Sequence, residues 1–118
     1  MTGKNSGRLR TLKKKRDFTR VYARGKHKAG RLLVLYGLPS GRPGVRFGFV
    51  VGRRIGSAVV RNRVRRILRE VCRRHMERFR DGYDFVVVAR ERARDAGFAG
   101  LEREMLRVAG SIGVVRDA

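Results

Sequence analysis

From residue 60 to 79 the apolar positions recur at steps of three and four: Val60, Val64, Ile67, Leu68, Val71, Cys72, His75 and Phe79. This is one face of a helix with about 3.6 residues per turn. Ser57 stands just ahead of the run and can cap it, its hydroxyl accepting from a free amide of the first turn. The helix is expected to end near Arg80, Asp81 and Gly82. At about 100° per residue, Asn62, Arg66, Arg69 and Arg73 fall opposite the apolar stripe. Arg61 and Arg65, four apart, share one flank, and Arg63 lies on the other.

Around that helix the pattern changes to strands. Residues 31–38 are apolar on both faces and predict an interior strand, with Tyr36 on the face of Leu32 and Val34. Pro39, Ser40, Gly41, Pro43 and Gly44 break it. Residues 45–51 then alternate: Val45, Phe47, Phe49 and Val51 point one way, Arg46, Gly48, Val50 and Gly52 the other. The two strands predict an antiparallel hairpin. Gly48 and Gly52 leave their face shallow, which suits either close approach of a backbone or ligand, or a β-bulge. Residues 84–90 read as a buried strand; with the preceding strand and helix they form a βαβ unit whose strands can be parallel.

The two ends are helical. Asp17 can cap a short helix that ends at Gly25, on which Phe18 and Tyr22 share one face beside Val21. Those rings fit two roles: core, or a platform for unstacked bases, each worth about 1–3 kcal/mol. Residues 25–30 read as a basic turn. Residues 93–109 predict a last helix with Phe98, Leu101, Met105 and Val108 on one stripe, stopped by Gly110, with Val114 and Val115 in a loose tail. Residues 1–8 are a polar, basic arm without periodicity. The cations Lys13, Lys14, Lys15 and Arg16 just ahead of the first helix suit a phosphate contact. The reading is one α+β domain over residues 9–118.

Charge narrows the partner. The chain carries 31 Lys and Arg against 10 Asp and Glu, a net charge of +21, with 42% hydrophobic residues. It has enough apolar residues to fold and far more cations than solubility needs, which points to nucleic acid. A membrane is the weaker partner, because no apolar run approaches the roughly 20 residues of a span. No secretory h-region is visible, so the expected location is the cytoplasm. Between residues 52 and 76 Glu70 is the only acid. A solvated helix face mixes signs, whereas this one needs an anion against it. Arginine outnumbers lysine 25 to 6, which suits bidentate phosphate recognition but equally follows from codon bias.

Catalytic chemistry is missing. There is no placeable Ser/His/Asp or Cys/His set, no paired carboxylates, no phosphate-cradling glycine loop, and no acid cluster for a nuclease metal. One cysteine and two histidines make no ligand spacing, and Cys72 and His75 belong to the packing face. The expectation is a binding subunit with no catalytic residue, no metal site and no bound cofactor.

The run Arg53, Arg54, Ile55, Gly56, Ser57, Ala58, Val59, Val60, Arg61, Asn62, Arg63, Val64, Arg65, Arg66 resembles the signature of the bacterial ribonuclease P protein component. The likeness extends to Asp17, Phe18, Val21 and Tyr22 and to the strands at 32–36 and 84–90. Arginine replaces the family's usual lysine at 53, 54 and 65, and Gly52 its frequent serine, changes that keep the charge. The resemblance implies a compact two-layer sandwich in the order α-β-β-(β)-α-β-α, with a central cleft and a left-handed βαβ crossover, against the general right-handed rule. It implies that Phe18, Tyr22 and Tyr36, with Arg53, Arg54 and Arg90, hold the 5′ leader of precursor tRNA. Arg61, Asn62, Arg63, Arg65, Arg66 and Arg69 would dock on the catalytic RNA, whose Mg²⁺ ions perform the leader cleavage. Catalytic RNA and precursor tRNA are the implied partners, with no membrane and no obligate protein partner. Two other functions fit parts of the sequence: a general, ribosomal-type RNA-binding protein without a leader cleft, and a self-sufficient nuclease.

Overall fold

The computed structural model describes residues 8–116; the expected arm at 1–8 falls almost wholly outside the described residues. Helix α1 (Lys15–Arg24) leads into strands β1 (Lys26–Ala29), β2 (Leu33–Pro39) and β3 (Val45–Val50). Helix α2 (Ala58–Arg74), strand β4 (Tyr83–Ala89) and helix α3 (Gly97–Ser111) follow, with 3-10 turns at Arg53–Ile55, Met76–Arg78 and Glu91–Asp95. The element order is the expected one, with three strands ahead of α2. The first of them, β1, occupies residues expected to form a basic turn. All four of its residues are exposed, so no apolar alternation marks it, and only backbone pairing to β2 defines it.

The sheet order is β1-β2-β4-β3. The expected hairpin between β2 and β3 does not form. β4 lies between them, antiparallel to β2 and parallel to β3. The physical reason is burial on both faces: Asp84, Phe85, Val86 and Val87 are all buried, and the strand that must hide both sides takes an interior slot. The turn after β2 reaches over its start, with Ser40 N–H donating to the Gly82 carbonyl (2.7 Å), Gly82 N–H to the Gly44 carbonyl (2.8 Å) and Gly44 N–H to Asp81 Oδ1 (2.7 Å).

One face of the sheet carries Leu33, Leu35, Val45, Phe47, Phe85 and Val87 and packs under α2 and α3. Phe47, Phe79 and Phe85 form its aromatic centre, with ring centroids 5.1–5.2 Å apart. α2 contributes Val64, Leu68, Val71 and Cys72. As expected, Ser57 caps it by accepting from Val60 N–H (3.3 Å). It stops earlier than the apolar stripe suggested: His75 is its C-cap, and Phe79 reaches the core from beyond a 3-10 turn. The residues after α3 are docked, not loose. Val114 is fully buried, Arg80 N–H donates to its carbonyl (2.8 Å), and Val115 bridges Phe79. Val114 joins the main core, and Gly113, at φ 73°, turns the chain back toward it.

The other face carries Tyr36, Leu38, Val50, Val86 and Val88, and only part of it is covered, by Phe18 and Val21 of α1 and by Leu12 in the segment ahead of that helix. Residues 10–12 add a short parallel bridge to the open edge of β3, Leu12 N–H donating to the Phe47 carbonyl (2.9 Å). Asp17 lies in the first turn of α1 and does not cap it; the N-cap position is Lys14, without a side-chain bond. Asp17 instead faces Arg20 (3.5 Å) and Arg46 (3.9 Å).

Candidate nucleic-acid interface

Two basic surfaces lie on opposite sides of the sheet. On the helical side, Asn62, Arg65, Arg66 and Arg69 of α2 line a concavity of about 1010 Å³ with Arg8, Leu9, Arg73 and Phe98. They project there because α2 commits its opposite stripe to the core. Asn62 Oδ1 accepts from Arg65 (2.8 Å), which orients that guanidinium. Arg66 and Arg69 have no hydrogen bond or ion pair among the described residues. Glu70 is held by Arg73 and Arg74 (2.7–3.0 Å), and those hydrogen bonds bring its carboxyl down to about 2. The one acid of this face is therefore ionised and already committed.

Arg61 and Arg63 stand apart from this concavity. Arg61 donates to the Gly56 carbonyl (2.8 Å) at the helix start. Arg63 reaches the other flank and donates to the Arg94 carbonyl (2.5 Å), tying α2 to the turn before α3. The six residues expected to act together thus divide into four around one hollow and two that brace neighbouring backbone.

On the far side of the sheet, α1 and β2 bring the expected rings together. Tyr22 is 41% exposed and meets Tyr36 edge-on, centroids 5.0 Å apart. Burial, then the adjacent Tyr36, raises the Tyr22 hydroxyl above its ordinary value, so it acts as a neutral phenol near pH 7. Phe18 is partly buried beside Leu12. Its ring occupies the space left by Gly48, where a Cβ would come within 2.5 Å of Phe18 Cε1. The shallow glycine face is thus filled by a side chain of the protein itself, while nothing approaches the position of a Gly52 Cβ. His27 adds a ring that the sequence reading missed, stacked on Tyr36 at 5.2 Å with 26° between planes. The missed signal is strand periodicity: β1 sets His27 opposite Tyr36.

The same face continues toward charge. Val34 pairs with Val88, and Val88 with Val50. Val50 and Val88 then floor a groove of about 640 Å³ with Arg53, Arg54 and Arg90 at its walls. Arg54 approaches Glu91 at 4.0 Å, Arg90 donates to the Gly30 carbonyl (2.9 Å), and Arg53 has no side-chain polar partner among the described residues. Rings at one end and guanidiniums at the other suit an unstacked, single-stranded nucleic acid: bases on the rings, phosphates on the cations.

A charge network absent from the sequence reading fixes α1 over this face. Asp84, buried at the start of β4, accepts from Arg46 Nε (2.9 Å) and Nη2 (2.7 Å) and from Arg20 Nη2 (2.6 Å). Burial pushes its carboxyl up, but the two guanidiniums outweigh that and hold it below the usual carboxylate range. Burial alone acts on the Cys72 thiol and pushes it up, which leaves it inert. No group of three or more His, Cys, Asp or Glu side chains among the described residues is placed to hold a metal ion.

Comparison with known proteins identifies the family and the fold. A family model described as Ribonuclease P matches residues 7–113. A relative from Desulforamulus reducens, a "Ribonuclease P protein component", is 46% identical over 86% of this chain and 90% of its own length. One from Pelotomaculum thermopropionicum, of the same description, is 46% identical over 85% and 89%. The solved Staphylococcus aureus RNase P protein superposes with a TM-score of 0.83 at 28% identity, covering 92% of this chain and all of that one. The Thermotoga maritima protein gives 0.76 at 30%, over 85% and 94%. By family model, relatives and fold together, the chain belongs to the ribonuclease P protein family, the protein component of the ribonucleoprotein endoribonuclease that matures the 5′ end of tRNA.

Proposed function

We propose that the chain assists ribonuclease P by using its two basic surfaces for two different RNAs. The α2 hollow, through Asn62, Arg65, Arg66 and Arg69, docks on the catalytic RNA, where its cations neutralise phosphates and release counterions. Arg61 and Arg63 extend that contact along the flanks. The groove of Phe18, Tyr22 and Tyr36, leading to Arg53, Arg54 and Arg90, holds the 5′ leader of precursor tRNA by stacking and charge. The protein supplies no catalytic residue, binds no cofactor and needs no further protein partner. Mg²⁺ held by the RNA performs the phosphodiester hydrolysis. The site of action is the cytoplasm; no helix among the described residues is long and apolar enough to cross a membrane.

The observation that carries this reading is the sheet standing between the surfaces. One polypeptide can then hold the ribozyme on one side and the substrate strand on the other. Reconstitution tests it. Added to a bacterial catalytic RNA at low Mg²⁺, the protein should restore precursor processing, and the complex should bind precursor tRNA more tightly than mature tRNA. Equal affinity for the two would remove the leader groove. Cleavage by the protein with Mg²⁺ and no RNA subunit would overturn the division of labour.

A further inference from the structure

Beyond the groove lies a third group of cations, on the side of the sheet edge facing α3. Arg31, Arg90 and Arg92 line both the groove and an adjoining hollow of about 440 Å³ that also includes Arg107. Arg31, Arg92 and Arg107 recur in a further hollow of about 310 Å³ that ends at Arg103. The guanidiniums come from three separate segments: the turn before β2, the turn after β4, and α3. The guanidiniums of Arg31, Arg92 and Arg103 have no hydrogen bond or ion pair among the described residues.

The acid beneath them does not compensate them. Glu104 is buried, accepts from Leu32 N–H (3.0 Å) and pairs with Arg107 (2.9 Å). Gly30 makes room for it, since a Cβ there would collide with its carboxylate. Glu104 is thus spent on joining α3 to the sheet and on orienting Arg107. The guanidiniums of Arg31, Arg92 and Arg103 converge on concave surface with no ion pair among the described residues, an arrangement that favours an extended polyanion.

We infer that the groove continues past Arg90 as a guanidinium track through Arg31, Arg92 and Arg107 to Arg103, and that this track takes phosphates of leader RNA extending beyond the groove. The inference rests on the groove holding the leader. Continuity decides the occupant: the hollows along the track share Arg31, Arg90 and Arg92 with the groove and no arginine with the α2 hollow. No ring lies on it, so it grips backbone without reading bases.

The test uses the reconstituted holoenzyme with mature tRNA and precursors whose leaders are lengthened stepwise. The wild type should gain affinity twice, first as the leader fills the groove and again as it reaches the track. Each phosphate bound is worth about threefold at moderate salt, so two give roughly tenfold. The double variant Arg103→Gln/Arg107→Gln should lose the second rise and keep the first. Its salt dependence with long leaders should flatten by about 0.7 for each phosphate no longer neutralised. Arg103→Gln alone, which breaks no described hydrogen bond or ion pair, should weaken long-leader binding about threefold while circular dichroism and Tm stay unchanged. A single rise that saturates in the wild type, or a second rise retained by the double variant, overturns the track. So does an equal drop in affinity for mature tRNA and every precursor, which would place these arginines on the ribozyme or the tRNA body. A wild type indifferent to leader length at every step instead removes the groove reading itself.

Discussion

Phe18 depends on Gly48: the ring lies where any side chain at 48 would begin, with a Cβ there coming within 2.5 Å of Cε1 and 3.3 Å of Leu12 Cδ1. Gly48→Ala therefore displaces the ring from the sheet. The expected stability cost is about 1–3 kcal/mol, as for an overpacked core site. Precursor affinity should fall with it and mature tRNA affinity should not. Urea denaturation and paired binding titrations check both, and an unchanged precursor affinity would take Phe18 out of the leader surface.

Tyr22 separates binding from folding more cleanly. It is 41% exposed, whereas Phe18 packs on Leu12 and Gly48, so truncating Phe18 disturbs core and platform together. Tyr22→Ala is expected to weaken precursor binding by about 1–3 kcal/mol, the value of one stacked base. Tm should fall only slightly and affinity for the catalytic RNA should hold. Tyr22→Phe should retain most of the binding, because stacking uses the ring and not the hydroxyl. Binding titrations of both variants against precursor tRNA check this, and full affinity in Tyr22→Ala would leave the ring without a base.

The long helix, its cap and its basic face were legible because periodicity and capping are local properties. Ser57, Val64, Leu68 and Val71 each stand in the role their spacing implied. The paired rings were legible to the same extent: spacing put Phe18 and Tyr22 on one face but left core and platform open. What escaped the sequence was set by distant parts of the chain. The slot of β4 between β2 and β3 follows from burial on both faces, and the strand character of Lys26–Ala29 comes only from its partner. His27 escaped with it. Asp84 escaped because its two arginine partners, at 20 and 46, are joined only by tertiary structure. Val114 escaped because a short apolar pair after a glycine reads like any frayed end.

Asp84 gives the fold a pH dependence of known sign. Its carboxyl titrates below the ordinary value in the folded chain, about 3.9 in an unfolded one. The folded state therefore favours the ionised form. That stabilisation is complete above the unfolded value and is lost as pH falls through the folded one. Asp84→Asn should remove it at every pH, leave Arg20 and Arg46 only their longer contacts to Asp17, and cost about 1–3 kcal/mol near pH 7. The measurement is denaturant stability from pH 7 down to 3. The variant should show a shallower decline over the acid end than the wild type, and parallel curves would assign the acid sensitivity elsewhere.

Arg66 and Arg63 are three residues apart on α2 and should behave differently. Arg66 lines the α2 hollow with no described partner, so its guanidinium is available to a phosphate. Arg63 donates to the Arg94 carbonyl and holds the turn before α3. Arg66→Ala should lower affinity for the catalytic RNA, reduce the slope of log affinity against log salt by about one, and leave Tm alone. Arg63→Ala should lower Tm by removing one charge-assisted hydrogen bond, about 1 kcal/mol for so exposed a pair, and change the slope less. Salt titrations of both variants against the same RNA decide it. A slope unchanged by Arg66→Ala removes that residue from the RNA interface, and equal slopes for the two would show that the Arg94 tie opens when RNA binds.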